Sequence, residues 1–156
     1  MSISLVLADD HPLTREGMKA YLAKETDFNI LGSYADGESA WAGIQQLKPQ
    51  VALLDIRMPG IDGVALARKI KDASLPVASL MLTSYDAQQY VMASLRAGAR
   101  GYVLKTASMD TLSKAIRIVA RGGFYLDSEV ANAVEQEGDF VPEPVSEEHT
   151  SELQSR

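Results

Sequence analysis

The sequence contains no cysteine. That excludes a disulfide framework and any thiolate metal site. No apolar run approaches the ~18–20 residues of a membrane span. The first residues show no basic n-region either. "MSISLVLADDHPL" passes from a short apolar stretch straight into acids, and it reads as a first strand, not a signal peptide. Cations are in the minority, with 15 Lys and Arg against 21 Asp and Glu and a net charge of −6. Duplex binding rests on neutralising phosphates, so this balance argues against the chain gripping nucleic acid by itself.

What is present suits one soluble domain. The 156 residues are 46% hydrophobic and 23% charged, enough for a single core. A cytoplasmic location without membrane contact is expected. Five short apolar runs recur: "SISLVLA" (2–8), "FNILGSYA" (28–35), "QVALLD" (50–55), "VASLMLTS" (77–84) and "RGYVLK" (100–105). Four are near-continuous, as suits strands covered on both faces, and the second is mixed enough for an edge. Between and after them lie "PLTREGMKAYLAKE", "GESAWAGIQQLK", "GVALARKIK", "AQQYVMASLRAG" and "SMDTLSKAIRIVARGG", each with helical spacing. The order β-α repeated five times predicts an α/β fold. It is a doubly wound, five-stranded parallel sheet with right-handed crossovers and helices on both faces. From Gly123 the character changes. "FYLDSEVANAVEQ" predicts a short further helix, and the rest is acidic, Pro-broken and poor in large apolar residues, as in a linker or disordered tail.

The functional crevice of such a sheet lies at the carboxyl ends of its strands. Strand one ends on Asp9-Asp10, strand three on Asp55, strand four on Thr83-Ser84 and strand five on Lys105. Each has an ordinary meaning alone. A lone Asp after a strand is usually a turn former or a helix N-cap, and Asp9-Asp10 would cap a helix at Pro12. Thr83 would bond backbone, Lys105 would be solvated and Tyr102 would sit in the core. His11 is expected to be structural or exposed. Their coincidence on successive strand ends points elsewhere. Two unit charges about 4 Å apart repel by roughly 4 kcal/mol at an effective dielectric of 20, so three acids need a proton or a cation. Lys105 supplies one charge, and Mg²⁺ (or Mn²⁺), which takes carboxylates, waters and phosphate oxygens, would supply the rest. The set suits phosphoryl transfer onto a carboxylate. Asp55 would attack phosphorus, Asp10 and Asp55 would hold the ion with help from Asp9, and Thr83 would donate to a phosphoryl oxygen.

"LADDH", "LLDIRMPGIDG", "LTS" and "GARGYVLK" together resemble the receiver domain of bacterial two-component response regulators, over roughly Ile3 to Arg121. The resemblance implies a flavodoxin-like (βα)5 fold with strand order 2-1-3-4-5. It implies Asp55 as phosphoacceptor for a sensor histidine kinase. The metal ligands would be Asp9, Asp10, Asp55 and the backbone carbonyl of Arg57. Lys105 would bind the phosphate, and Thr83 and Tyr102 would form the switch pair. Arg57 and Tyr85, two places after Asp55 and Thr83, would tune the phosphoryl lifetime. "LADDHPLTREGMKAYL", "GARGYVLKTAS" and "GGFYLDSEVANAV" look like the NarL/LuxR subtype, which carries a helix-turn-helix for DNA. Thr106 stands where many receivers have proline, which counts against a cis peptide there.

The expected organisation is a receiver over 1–122 and a linker or tail over 123–156, with no DNA-binding domain. The expected output is transcription through that missing domain, with a phosphorylation-linked homodimer. The alternatives are a stand-alone receiver acting by protein contacts and a Mg²⁺-dependent aspartyl phosphatase. The phosphatase would want a second acid two residues after its nucleophile, where this chain has Arg57. A nucleotide- or flavin-binding domain would want a Gly-rich or Ser/Thr-rich loop after strand one, where this chain has "DDHPLTREG".

Overall fold

The structure, a computed structural model, describes residues 2–84, 88–128 and 130–131. Strands and helices alternate: β1 (Ile3–Ala8), α1 (Pro12–Leu22), β2 (Phe28–Tyr34), α2 (Gly37–Leu47), β3 (Val51–Leu54) and α3 (Gly63–Asp72). They continue with β4 (Ala78–Thr83), α4 (Gln88–Arg96), β5 (Gly101–Leu104), α5 (Met109–Ala120) and β6 (Tyr125–Leu126). All strand pairs are parallel, in the order β2-β1-β3-β4-β5-β6. The expected order of the first five holds. The expected count of five does not, because Tyr125–Leu126 pairs with Gly101–Tyr102 and adds a sixth strand. Two residues are too few for periodicity to register, and Gly122-Gly123 reads in the sequence as an end of order. The further helix predicted over this stretch begins only at Ser128. The remainder of that helix, and the tail, lie outside the described residues.

Alternation along the strands divides the core in two. Leu5 and Leu7 face α1 and α5, among Met18, Leu22, Leu112, Ile116 and Val119. Val6 and Ala8 face the other way, among residues of α2, α3 and α4. Burial on both faces is why the central strands read as continuous apolar runs. β2 lies at the sheet edge, and Leu31 on it is exposed. Among the described residues no helix is long and apolar enough to cross a membrane, and no peptide bond is cis.

Local chemistry sets where the helices begin. Asp36 and Asp62 are N-caps, accepting from the N–H groups of Ser39 and Ala65 at 2.8 Å each. Ser108 caps α5 through the Thr111 N–H at 3.1 Å. Gly60 has φ +77°, a left-handed conformation that lets the chain reverse after Pro59. Gly63 starts α3 directly against the Asp55 carbonyl, where a Cβ would collide with backbone. The bend after β3 is therefore packed tightly beneath Asp55.

Val130 is fully buried beyond β6, so the folded unit uses residues past Gly122. Ending the chain at Gly122 is expected to cost about 2 kcal/mol or more relative to ending it at Ala131, from lost apolar burial. Urea midpoints of the two chains measure this, and equal midpoints would show that β6 and Val130 add nothing.

Candidate functional site

The parallel strands bring their carboxyl ends to one edge. Backbone hydrogen bonds extend the ladder one residue past three of them. The Asp9 N–H donates to Tyr34 O at 3.0 Å, the Asp55 N–H to Ala8 O at 3.0 Å, and the Lys105 N–H to Thr83 O at 2.8 Å. Asp9, Asp55 and Lys105 are thus fixed at their Cα atoms by the sheet itself. Asp9 is 1% exposed and Asp55 4%.

Lys105 Nζ lies 3.1 Å from Asp55 Oδ2 and 3.1 Å from Asp9 Oδ2. Only the Asp55 contact has hydrogen-bond geometry. Burial pushes the Asp55 carboxyl above its ordinary value. Lys105 pulls it back, while the charges of Asp9 and Asp10 push it further up, and the net direction is upward. Burial alone would lower the Lys105 ammonium. Its contacts with Asp9 and Asp55 outweigh that, so it is raised overall and stays charged.

One lysine does not saturate the pocket. Asp9 Oδ2 and Asp10 Oδ1 are buried and accept no hydrogen bond. Asp9, Asp10, His11 and Asp55 each offer a ligand atom, all within 4.8 Å of one another. Buried carboxylate oxygens in this number fit a hard divalent cation such as Mg²⁺ or Mn²⁺. None of these acids caps a helix. Asp9 Oδ1 accepts from the His11 N–H at 2.9 Å within the turn, and the N-cap of α1 is His11, whose side chain makes no capping bond.

The other predicted residues are placed as follows. Arg57 is exposed on the loop after β3. Thr83 and Tyr102 are fully buried on neighbouring strands. Thr83 pairs with Leu104 and Met81 with Tyr102, so both face the layer of α2, α3 and α4 as diagonal neighbours. Tyr85 lies outside the described residues. His11 is the residue that pattern reading missed. It is exposed, as expected, yet its Nδ1 reaches within 3.2 Å of Asp9 and 3.1 Å of Asp10. Its signal was positional: it sits between the acid pair and a proline that restricts its backbone.

A raised carboxyl pKa stabilises the fold only while the group is protonated. For Asp55 that contribution is complete below its ordinary value near 3.8 and is lost as pH rises through the raised value. In chelator, Asp55→Asn is therefore expected to unfold at higher urea than wild type at pH 7. The gap should close as pH falls toward the ordinary carboxylate range. A variant less stable than wild type at pH 7 would contradict the placement of that charge.

Residues 5–117 match the family of response regulator receiver domains. The chain is 37% identical over 152 residues to the transcriptional regulatory protein DegU of Brevibacillus brevis, covering 97% of this chain and 64% of that protein. The receiver domain of the response regulator NarL from Mycobacterium tuberculosis is 36% identical. It superposes with a TM-score of 0.76, covering 78% of this chain and 98% of that one. A LuxR-family DNA-binding response regulator from Staphylococcus aureus gives a TM-score of 0.74 at 29% identity, covering 76% and 98%. The chain spans 55–64% of the length of the curated relatives DegU, YxjL and NreC. A match that takes in nearly all of the sheet shows that this chain belongs to the response regulator receiver domain family, in its NarL/LuxR type, and is a signalling domain.

Proposed function

We propose that the domain accepts a phosphoryl group on Asp55 from a phosphohistidine of a sensor histidine kinase. The support is the Lys105 ammonium, 3.1 Å from both Asp55 and Asp9 at the mouth of the strand ends. A carboxylate oxygen of Asp55 forms the new bond to phosphorus. The bond from phosphorus to the kinase imidazole breaks, and the ring keeps the electron pair. Asp55 needs no general base, since an ionised carboxylate is already the nucleophile. Its Cα is held by the sheet and by Gly63, so its approach to the donor is pre-oriented.

Asp9, Asp10, Asp55 and the Arg57 carbonyl would hold Mg²⁺. Bound there, the ion neutralises charge on the phosphoryl oxygens. Lys105 would do the same with the ammonium that now donates to Asp55. Small donors such as acetyl phosphate would serve in place of the kinase. Arg57 and Tyr85 would govern how fast water removes the group.

The switch we propose starts at Thr83, whose hydroxyl turns to a phosphoryl oxygen. Tyr102 shares its sheet face and is fully buried in the core cluster that also holds Val91 and Leu95 of α4. A shift of Thr83 therefore disturbs a filled core, and the repacking reaches α4. The receiver unit would extend to at least Ala131, since Val130 is buried. DegU is a transcriptional regulator and the S. aureus relative a DNA-binding one. By analogy, the output here would be transcription, through a DNA-binding domain outside this sequence and a phosphorylation-linked homodimer, in the cytoplasm.

With acetyl phosphate and Mg²⁺, intact mass should show one added phosphoryl group, absent in Asp55→Asn. Label persisting in that variant refutes the assignment. Lys105→Ala should slow the reaction by about 100-fold, the scale of losing one aligned electrostatic donor. Arg57→Ala should change the half-life of the phosphorylated protein, and an unaltered half-life removes Arg57 from that role.

A further inference from the structure

Phosphoryl transfer as described makes no use of His11, yet its imidazole enters the acid pocket. Nδ1 lies 3.2 Å from Asp9 Oδ1, 3.1 Å from Asp10 Oδ1 and 3.9 Å from Asp55 Oδ2. Two adjacent ligands of a six-coordinate ion with bonds of about 2.1 Å stand about 3.0 Å apart, and two opposite ones about 4.2 Å. The first two distances match an adjacent pair, and the third falls between the limits. The pocket also has donors to spare, because Asp9 is 1% exposed and its Oδ2, like Asp10 Oδ1, accepts no hydrogen bond.

The backbone holds the ring in place. Pro12 excludes helical backbone for the residue before it, and His11 has φ −96° and ψ 108°. The His11 N–H is bonded to Asp9 Oδ1 at 2.9 Å. His11 therefore meets the pocket from a fixed direction. Its side chain is 64% exposed and makes no capping bond, and its Nδ1 sits within hydrogen-bond distance of Asp9 Oδ1, so the ring already faces the acids that would hold the ion.

We propose that His11 Nδ1 is a direct ligand of the divalent cation in this pocket. Its nitrogen moves the preference of the site from Mg²⁺ toward later first-row ions such as Co²⁺ and Ni²⁺. Mg²⁺ binds oxygen and gains little from imidazole, whereas the later ions bind imidazole well. The tautomer with its proton on Nε2 leaves the Nδ1 lone pair free for the ion. This proposal rests on the cation-binding role proposed above for Asp9, Asp10 and Asp55.

The test is calorimetric titration of wild type, His11→Ala and His11→Gln with Co²⁺ and with Mg²⁺, alongside proton NMR of the Co²⁺ forms. In both variants Co²⁺ affinity should fall by about tenfold or more while Mg²⁺ affinity moves by less than about threefold. The Co²⁺ form of the wild type should show a strongly shifted, solvent-exchangeable imidazole N–H signal that both variants lack. His11 is exposed and caps nothing, so the variants should keep the wild-type circular dichroism. If all three bind both ions with the same Co²⁺ to Mg²⁺ ratio and no such signal appears, the His11 role is overturned while the acid pocket stands. If wild type binds neither ion, the cation role of the acids falls and the His11 proposal with it.

Discussion

Everything at the strand ends depends on how negative charge is tolerated in a nearly dry place. Asp9 and Asp55 are both buried, and Lys105 stands between them at 3.1 Å from each. Without that ammonium the two carboxylates would repel across a medium that screens poorly. With it, three carboxylates still face one ammonium, and burial, the largest influence, keeps the Asp55 carboxyl above its ordinary value. The site is therefore poised: stable enough to fold, and still favouring any further cation that enters. Binding and reactivity here come from the same imbalance.

The sheet makes this imbalance reproducible. The three key residues sit one position past a strand, where backbone bonding still fixes them. Gly63 forbids any side chain between α3 and the Asp55 carbonyl, and Gly60, in a left-handed conformation, turns the chain between β3 and α3. The acids that look alike in sequence thus divide by position. Asp36 and Asp62 face helix N-termini and are used up as caps, whereas Asp9, Asp10 and Asp55 face one another.

Much of this was legible in the sequence for one physical reason. Parallel strands buried on both faces leave continuous apolar runs, so their ends can be located, and those ends must lie together. Asp9, Asp10, Asp55, Thr83 and Lys105 followed from that alone. Two features were not legible. β6 carries only two residues, Tyr125 and Leu126, both half-buried, and no periodicity survives at that length. His11 is exposed, and sequence gives no direction for an exposed ring. Only the backbone restriction by Pro12, combined with the way the sheet gathers its strand ends, places its nitrogen beside the acids.

β6 gives the strand that leads to Lys105 a neighbour on each side. The Asp127 N–H donates to Tyr102 O at 3.3 Å, and the Asp127 carboxylate accepts from the Leu104 N–H at 3.4 Å, continuing the ladder where β6 has ended. The residue immediately before Lys105 is thus tied to the residue that follows β6. The approach to Lys105 is therefore held from both sides: Thr83 fixes its own N–H, and Asp127 fixes that of the residue before it.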